Sequence, residues 1–203
     1  MRALLFLLAA SMLSGCALKG RVITDPIRLH ARCDRGEGNH CNNLGVLYAR
    51  GEGIELDPRM AAALYGRACT LGDPTGCKNL GATYLNGEGV PQNLEAAAGL
   101  FEMACRAGEP GGCNNLGGMY YDGSGVTREP AVSAVLYDLA CVADNAPACH
   151  NLAMLHAQGI GVPQDDAKVI TLLQRACDLG SDEACTQRAA FVADAADVSG
   201  FEE

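Results

Sequence analysis

Cysteine is the residue with the most chemistry available to it in this 203-residue sequence, which contains 11 of them. Ten form five pairs: Cys33/Cys41, Cys69/Cys77, Cys105/Cys113, Cys141/Cys149 and Cys177/Cys185. Members of a pair stand eight residues apart, and successive pairs stand 36 residues apart without insertion or deletion. Thiolates can hold zinc, but zinc sites favour ligands two to four residues apart, often with histidine, and a five-fold C-x7-C does not fit. Covalent haem needs C-x-x-C-H, and Cys149-His150 lacks the upstream cysteine. A redox-active C-x-x-C is absent. What remains is structural disulfides, an even number of cysteines in an oxidising compartment.

The other reactive side chains assemble into no motif. Serine enzymes of the β-lactamase type use S-x-x-K with a later K-T-G. The only lysines are Lys19, Lys78 and Lys168, and none lies three residues after a serine. His30, His40, His150 and His156 show no metal-ligand spacing. The recurring Gly-x-Gly turns follow no strand and carry no Gly-Lys-Ser/Thr, so they are not phosphate loops. The sequence nominates no catalytic residue, metal or cofactor. Its formal net charge of −9 argues against nucleic acid as a partner.

The elements that must position the cysteines follow from apolar spacing. Cys41, Leu44, Gly45 and Tyr48 fall on one face of a helix, and Gly51-Glu52-Gly53 ends it. Asp57 is a candidate N-cap with Pro58 at the first helical position. Ala61, Leu64, Tyr65, Ala68 and Cys69 then mark a second helix, which Gly72 stops before Asp73-Pro74 restarts the chain and Cys77 opens the next. Three further copies follow in the same register. Pro26–Asp34 reads as a second helix without its first, and Cys185 to about Asp197 as a first helix without its second. The expected fold is all-α: about ten short antiparallel helices in a disulfide-clipped solenoid over residues 25–197, four full repeats and two half units. Gly45, Gly81 and Gly117 are set against Ala68, Ala104 and Ala140, so that paired helices approach closely. Arg188 replaces a repeated leucine, as suits a terminal unit with a polar outer face. Residues 198–203 form an acidic tail.

The N-terminus is a different kind of segment. Arg2 precedes an apolar run from Ala3 to Met12, too short for a typical spanning helix, followed by Leu13-Ser14-Gly15-Cys16. This resembles the bacterial lipoprotein signal. The resemblance implies a signal peptide over 1–15, lipidation at Cys16, a tether over 16–24 and a place in the bacterial cell envelope. Ala17 after the cysteine implies the outer membrane, facing the periplasm or the cell surface.

The repeat itself resembles the Sel-1-like repeat family, relatives of the tetratricopeptide repeats, over residues 25 to 195. The matching residues are Leu80-Gly81, Tyr84, Gly87-Glu88-Gly89-Val90 and the alanine-rich second helix ending at Ala104. The cysteine pairs look like those of a cysteine-rich Helicobacter subgroup, in which each hairpin is closed by a disulfide. The resemblance implies a right-handed α/α superhelix that acts as an adaptor for a protein or peptide. Some members of the subgroup are described as penicillin-binding or β-lactamase-like; that alternative activity would have no visible catalytic residues here.

Two disulfide schemes preserve the repeat. Pairing across a unit, as in Cys41–Cys69, strands Cys33 and Cys185. Pairing eight residues apart uses all ten and joins the end of one helix to the start of an antiparallel one: Cys33–Cys41, Cys69–Cys77, Cys105–Cys113, Cys141–Cys149 and Cys177–Cys185. On the concave face that the family implies, Asn43, Asn79, Asn115 and Asn151 hold one place in four successive first helices. They are candidates to grip an extended peptide backbone, or else to satisfy carbonyls of neighbouring loops. Asn42, Lys78, Asn114 and His150 vary at the preceding position and are expected to set local specificity. Tyr48, Tyr84 and Tyr120, with His156 in the fourth copy, read as core, and Tyr121 as an exposed contact.

Overall fold

Asp25, Asp57, Asp73, Asn93, Asn145 and Asp165 each accept a backbone N–H of the following first turn, fixing where six helices begin. Proline stands in that turn in α1 (Pro26–Asp34), α3 (Pro58–Thr70), α4 (Pro74–Asn86), α6 (Pro110–Asp122), α7 (Pro130–Val142) and α8 (Ala146–Gln158). The others are α2 (Gly38–Arg50), α5 (Leu94–Arg106), α9 (Asp166–Asp178) and α10 (Asp182–Ser199). This computed structural model describes residues 25–199, and those residues contain ten helices and no strand. The first helices open about three residues before their cysteines, because cap and proline set the start and place the thiol at the end of the first turn. The closing helix likewise starts at Asp182 rather than Cys185.

Each first helix ends on a left-handed glycine, Gly51, Gly87, Gly123 or Gly159. The loop then returns a backbone N–H, from Asp57, Asn93, Glu129 or Asp165, to the carbonyl of Tyr48, Tyr84, Tyr120 or His156, at 2.9–3.2 Å. All five disulfides join cysteines eight apart, with Cα separations of 4.5–4.7 Å.

The apolar residues form four clusters strung along the chain rather than one centre, as expected of units that bury their faces against neighbours. Here the glycine pairing differs from expectation. Added Cβ atoms at Gly45, Gly81 and Gly117 would lie 2.7, 2.7 and 2.9 Å from the rings of Tyr65, Phe101 and Tyr137, not against the alanines. Ala68 and Ala104 instead face Gly76 and Gly112. The aromatic ring stands one turn before the alanine on the second helix, so ring and small residue each meet their own glycine.

Unit joins unit through the second glycine of each Gly-x-Gly turn. A Cβ at Gly89 would stand 2.3 Å from the backbone of Pro58, one at Gly125 2.4 Å from Leu94, and one at Gly161 2.4 Å from Pro130. Each turn therefore rests on the start of the preceding unit's second helix. Helices α2 and α4, and α4 and α6, also touch directly, whereas no two second helices approach as closely. Over the first three units the first helices are thus the closer-packed side of a right-handed α/α superhelix, the side expected to be concave. At the two ends of the described residues, α1 packs on α2 and α10 on α9. Arg188, on α10, is half-buried and its Nε finds no partner among the described residues, so it is drawn into the unit rather than simply facing outward.

Candidate functional site

The concave face is built from the exposed sides of α2, α4, α6, α8 and α10, with the tips of second-helix rings showing between them. A row of polar bonds crosses it. Asn79 Nδ2 donates to Asn42 Oδ1 at 2.7 Å, and Asn151 Nδ2 to Asn114 Oδ1 at 3.1 Å. Lys78 Nζ donates to Glu109 Oε1 at 3.1 Å, and His150 Nε2 lies 2.7 Å from Gln187 Oε1. Asn42, Lys78, Asn114 and His150 thus bridge successive units, their polar ends engaged in holding the array together. Asn42 is 94% buried, since its exposure is only 6%.

The four candidate asparagines are therefore unequal. Asn79 and Asn151 each use one end of the carboxamide on the preceding unit and leave the other end over the concave face. Asn115 makes only a long contact, 3.4 Å, with Asn114, and Asn43 is exposed without a side-chain bond. None of the four bonds a loop carbonyl among the described residues. Tyr121 is half-buried rather than exposed, and the Arg128 guanidinium lies 5.8 Å from its ring centre. Tyr48, Tyr84 and Tyr120 pack against the core clusters, and His156 is buried with Nδ1 3.0 Å from the Pro163 carbonyl. Cys16 lies outside the described residues.

Cavities open between first helices. One of about 470 Å³ lies between α2 and α4 and is lined by Arg50, Tyr65, Asn79, Thr83 and Glu88. Two adjoining ones, of about 260 and 330 Å³, share Asp122, Tyr137 and Asn151 between α6 and α8. Tyr65 and Tyr137 occupy the same place two units apart, each with 7% and 6% exposure respectively, and neither hydroxyl makes a hydrogen bond with a described residue. Burial pushes both phenols up; Arg50 opposes this at Tyr65, and at Tyr137 the Ser133 hydroxyl opposes it while the Asp122 carboxylate adds to it. Apolar spacing accounts for these rings only as part of the inner face of their helices. Their replacement by Phe101 in the intervening unit was the available signal that the hydroxyl is not needed for packing.

Chemically, the face offers hydrogen-bond donors and acceptors at unit spacing and two tyrosine-floored cavities. The histidines do not converge: His30 lies near Asp34, His40 near Asn39, His150 near Gln187 and His156 near Pro163. Among the described residues no group of three or more His, Cys, Asp or Glu could hold a metal ion. The opposite, convex face carries an apolar patch of Met103, Val135, Leu139 and Val142, where the outer units have the ion pairs Arg67–Asp34 and Arg175–Asp144.

Comparison with known proteins places this geometry. The family model described as Sel1 repeat matches residues 41–73, 74–109, 110–143 and 146–181, well over half of the chain. No curated protein matches the sequence. Among solved structures, a protective antigen present in uropathogenic Escherichia coli strains, displaying an SLR fold, is 29% identical with a TM-score of 0.72, over 78% of this chain and 34% of that one. A Sel1 repeat protein from Oxalobacter formigenes is 21% identical with a TM-score of 0.74, over 78% of this chain and 63% of that one. The Helicobacter pylori cysteine rich protein B is 21% identical with a TM-score of 0.44, over 82% and 97%. The chain thus spans about a third of the first of these proteins and under two thirds of the second.

Proposed function

The chain belongs to the Sel1 repeat family, and from that premise we propose that it is a lipid-anchored envelope scaffold that grips an extended protein segment along its concave face. The five disulfides fit the cysteine-rich subgroup and point to a non-cytoplasmic, bacterial envelope or periplasmic protein. The family fold is that of a protein–protein interaction scaffold. Lipid attachment at Cys16 rests on the Leu13-Ser14-Gly15-Cys16 sequence.

The observation that carries the reading is the supply of unspent hydrogen-bonding groups on one curved surface. Asn43 and Asn115 are uncommitted or nearly so, Asn79 and Asn151 keep one free end each, and two tyrosine hydroxyls open into cavities between them. An extended segment presents N–H and C=O groups at regular spacing and can meet such a row without refolding. In the acidic envelope-facing chain, the partner is a protein or peptide rather than nucleic acid.

The test uses the oxidised full chain against a displayed library of random dodecapeptides. Asn43 and Asn115 are the residues to change, because Asn79→Ala would also strip buried Asn42 of its bond. The double variant Asn43→Ala/Asn115→Ala should weaken binding of the selected peptides roughly thirtyfold, two hydrogen bonds' worth, with an unchanged melting temperature. Equal binding by both proteins would remove the concave face from the account.

A further inference from the structure

The cavities between α6 and α8 have a charge that nothing in the fold uses. Asp122 is the last residue of α6, where the helix dipole disfavours a carboxylate, and α6 has no basic residue in its last turn. It is exposed and forms no ion pair with any described residue. The equivalent residue two units earlier is Arg50, a choice that the dipole favours. Beside Asp122 stands the Tyr137 hydroxyl, on a side chain 94% buried by its 6% exposure, with no hydrogen-bond partner. Ser133, one turn before it on α7, is fully buried and makes no hydrogen bond of ordinary geometry, yet its hydroxyl is near enough to the phenol to oppose the upward push of burial. Asn115 and Asn151 complete the lining on the adjacent first helices. The cavity between α2 and α4 lacks this imbalance, since Arg50 and Glu88 both line it.

A carboxylate, a phenol oxygen and carboxamide oxygens converging on one cavity are an acceptor set for a cation. Tyr121, at its wall, already receives the guanidinium of Arg128 against its ring, and Arg128 makes no ion pair with Asp122. We propose that the cavity between α6 and α8 receives a cationic side chain, arginine or lysine, of the extended segment, and so sets the register of the bound partner. A guanidinium or ammonium would pair with Asp122 and donate to Tyr137 and Asn151 at once, a charge-assisted arrangement stronger than neutral hydrogen bonds. The chain's net charge of −9 favours such a partner at long range. This inference rests on the concave-face reading and adds what that reading leaves open, the chemistry of one recognised residue.

The same dodecapeptide selection distinguishes the two. Peptides selected by the wild-type full chain should share a lysine or arginine at one position. Asp122→Asn should remove that preference and bind a selected peptide at least tenfold more weakly, while melting at the same or a slightly higher temperature because the dipole conflict is relieved. Tyr137→Phe keeps the packing, since Phe101 fills that place in another unit, and should weaken the same peptide about tenfold. Replacing the basic residue of the peptide by norleucine should cost as much as Asp122→Asn and nothing further in the Asp122→Asn protein. Selected peptides without a shared basic position, or a preference that persists in Asp122→Asn, would overturn the cation site and leave the concave face standing. Failure of the wild type to select any peptide would overturn both.

Discussion

Reducing all five disulfides should unfold the protein. Each bond closes a loop of about nine residues, and the chain-entropy account gives about 2.5 kcal/mol for such a loop. Five bonds approach the whole net stability of an ordinary domain, roughly 5–15 kcal/mol, even if they do not add fully. The helices have little in reserve: eight of the ten are 13 residues long, a length at which isolated helices are marginal in water. No central core compensates, because burial is divided among neighbouring units. Reduction should start at Cys105–Cys113 and Cys177–Cys185, where Cys105, Cys177 and Cys185 are half-buried, and reach Cys33–Cys41 and Cys141–Cys149 last, where all four cysteines are fully buried. Far-UV circular dichroism with increasing reductant checks this. The helical signal should collapse as the bonds open; an undiminished cooperative melt of the fully reduced chain would show that packing alone suffices.

The second large effect is at a residue with no functional group. Gly89→Ala should cost roughly 3–5 kcal/mol. Part is the positive φ of 74°, which strains any L side chain by about 1–2 kcal/mol. The rest is overpacking, because the new methyl meets the Pro58 backbone, which cannot rotate away as a side chain could. Gly53 provides the internal control. It has nearly the same φ, 72°, but no atom of the described residues within 4 Å, because the preceding second helix, α1, is described only from Pro26, past the place equivalent to Pro58. Gly53→Ala should therefore cost only the strain, about 1 kcal/mol. Urea denaturation of the two variants measures the difference; equal losses would mean that the turn does not set the contact between units.

The cysteine frame and the ten helices were legible because period, proline and glycine are local signals that packing did not override. Helix starts were read about three residues late, at the cysteines, because the cysteine is the conspicuous residue while Asp73 and Pro74 do the capping. The partners of Gly45, Gly81 and Gly117 were misassigned by one helical turn, since which of two small-facing positions meets across a pair depends on the helix crossing, which sequence spacing does not encode. The concave site was partly legible. The asparagine register is visible in the sequence, but the division between bridging and free carboxamides is not, because Asn42 and Asn43 differ only in which way a helix turns them. Tyr137 was hidden for a related reason: a tyrosine can be buried for its ring and functional for its hydroxyl, and spacing reports only the ring. Asp122 was passed over as one acid among 24 Asp and Glu; only its place at a helix end beside an unpartnered phenol sets it apart.

The central claim is that the concave face, not the convex apolar patch, is the working surface. A photo-activated cross-linking residue placed in the oxidised full chain at Asn115, on α6, or at Leu139, on the exposed side of α7, tests this directly with a peptide taken from the display selection. The account predicts a covalent peptide adduct from position 115 and none from position 139. An adduct from position 139 with none from position 115 would contradict it.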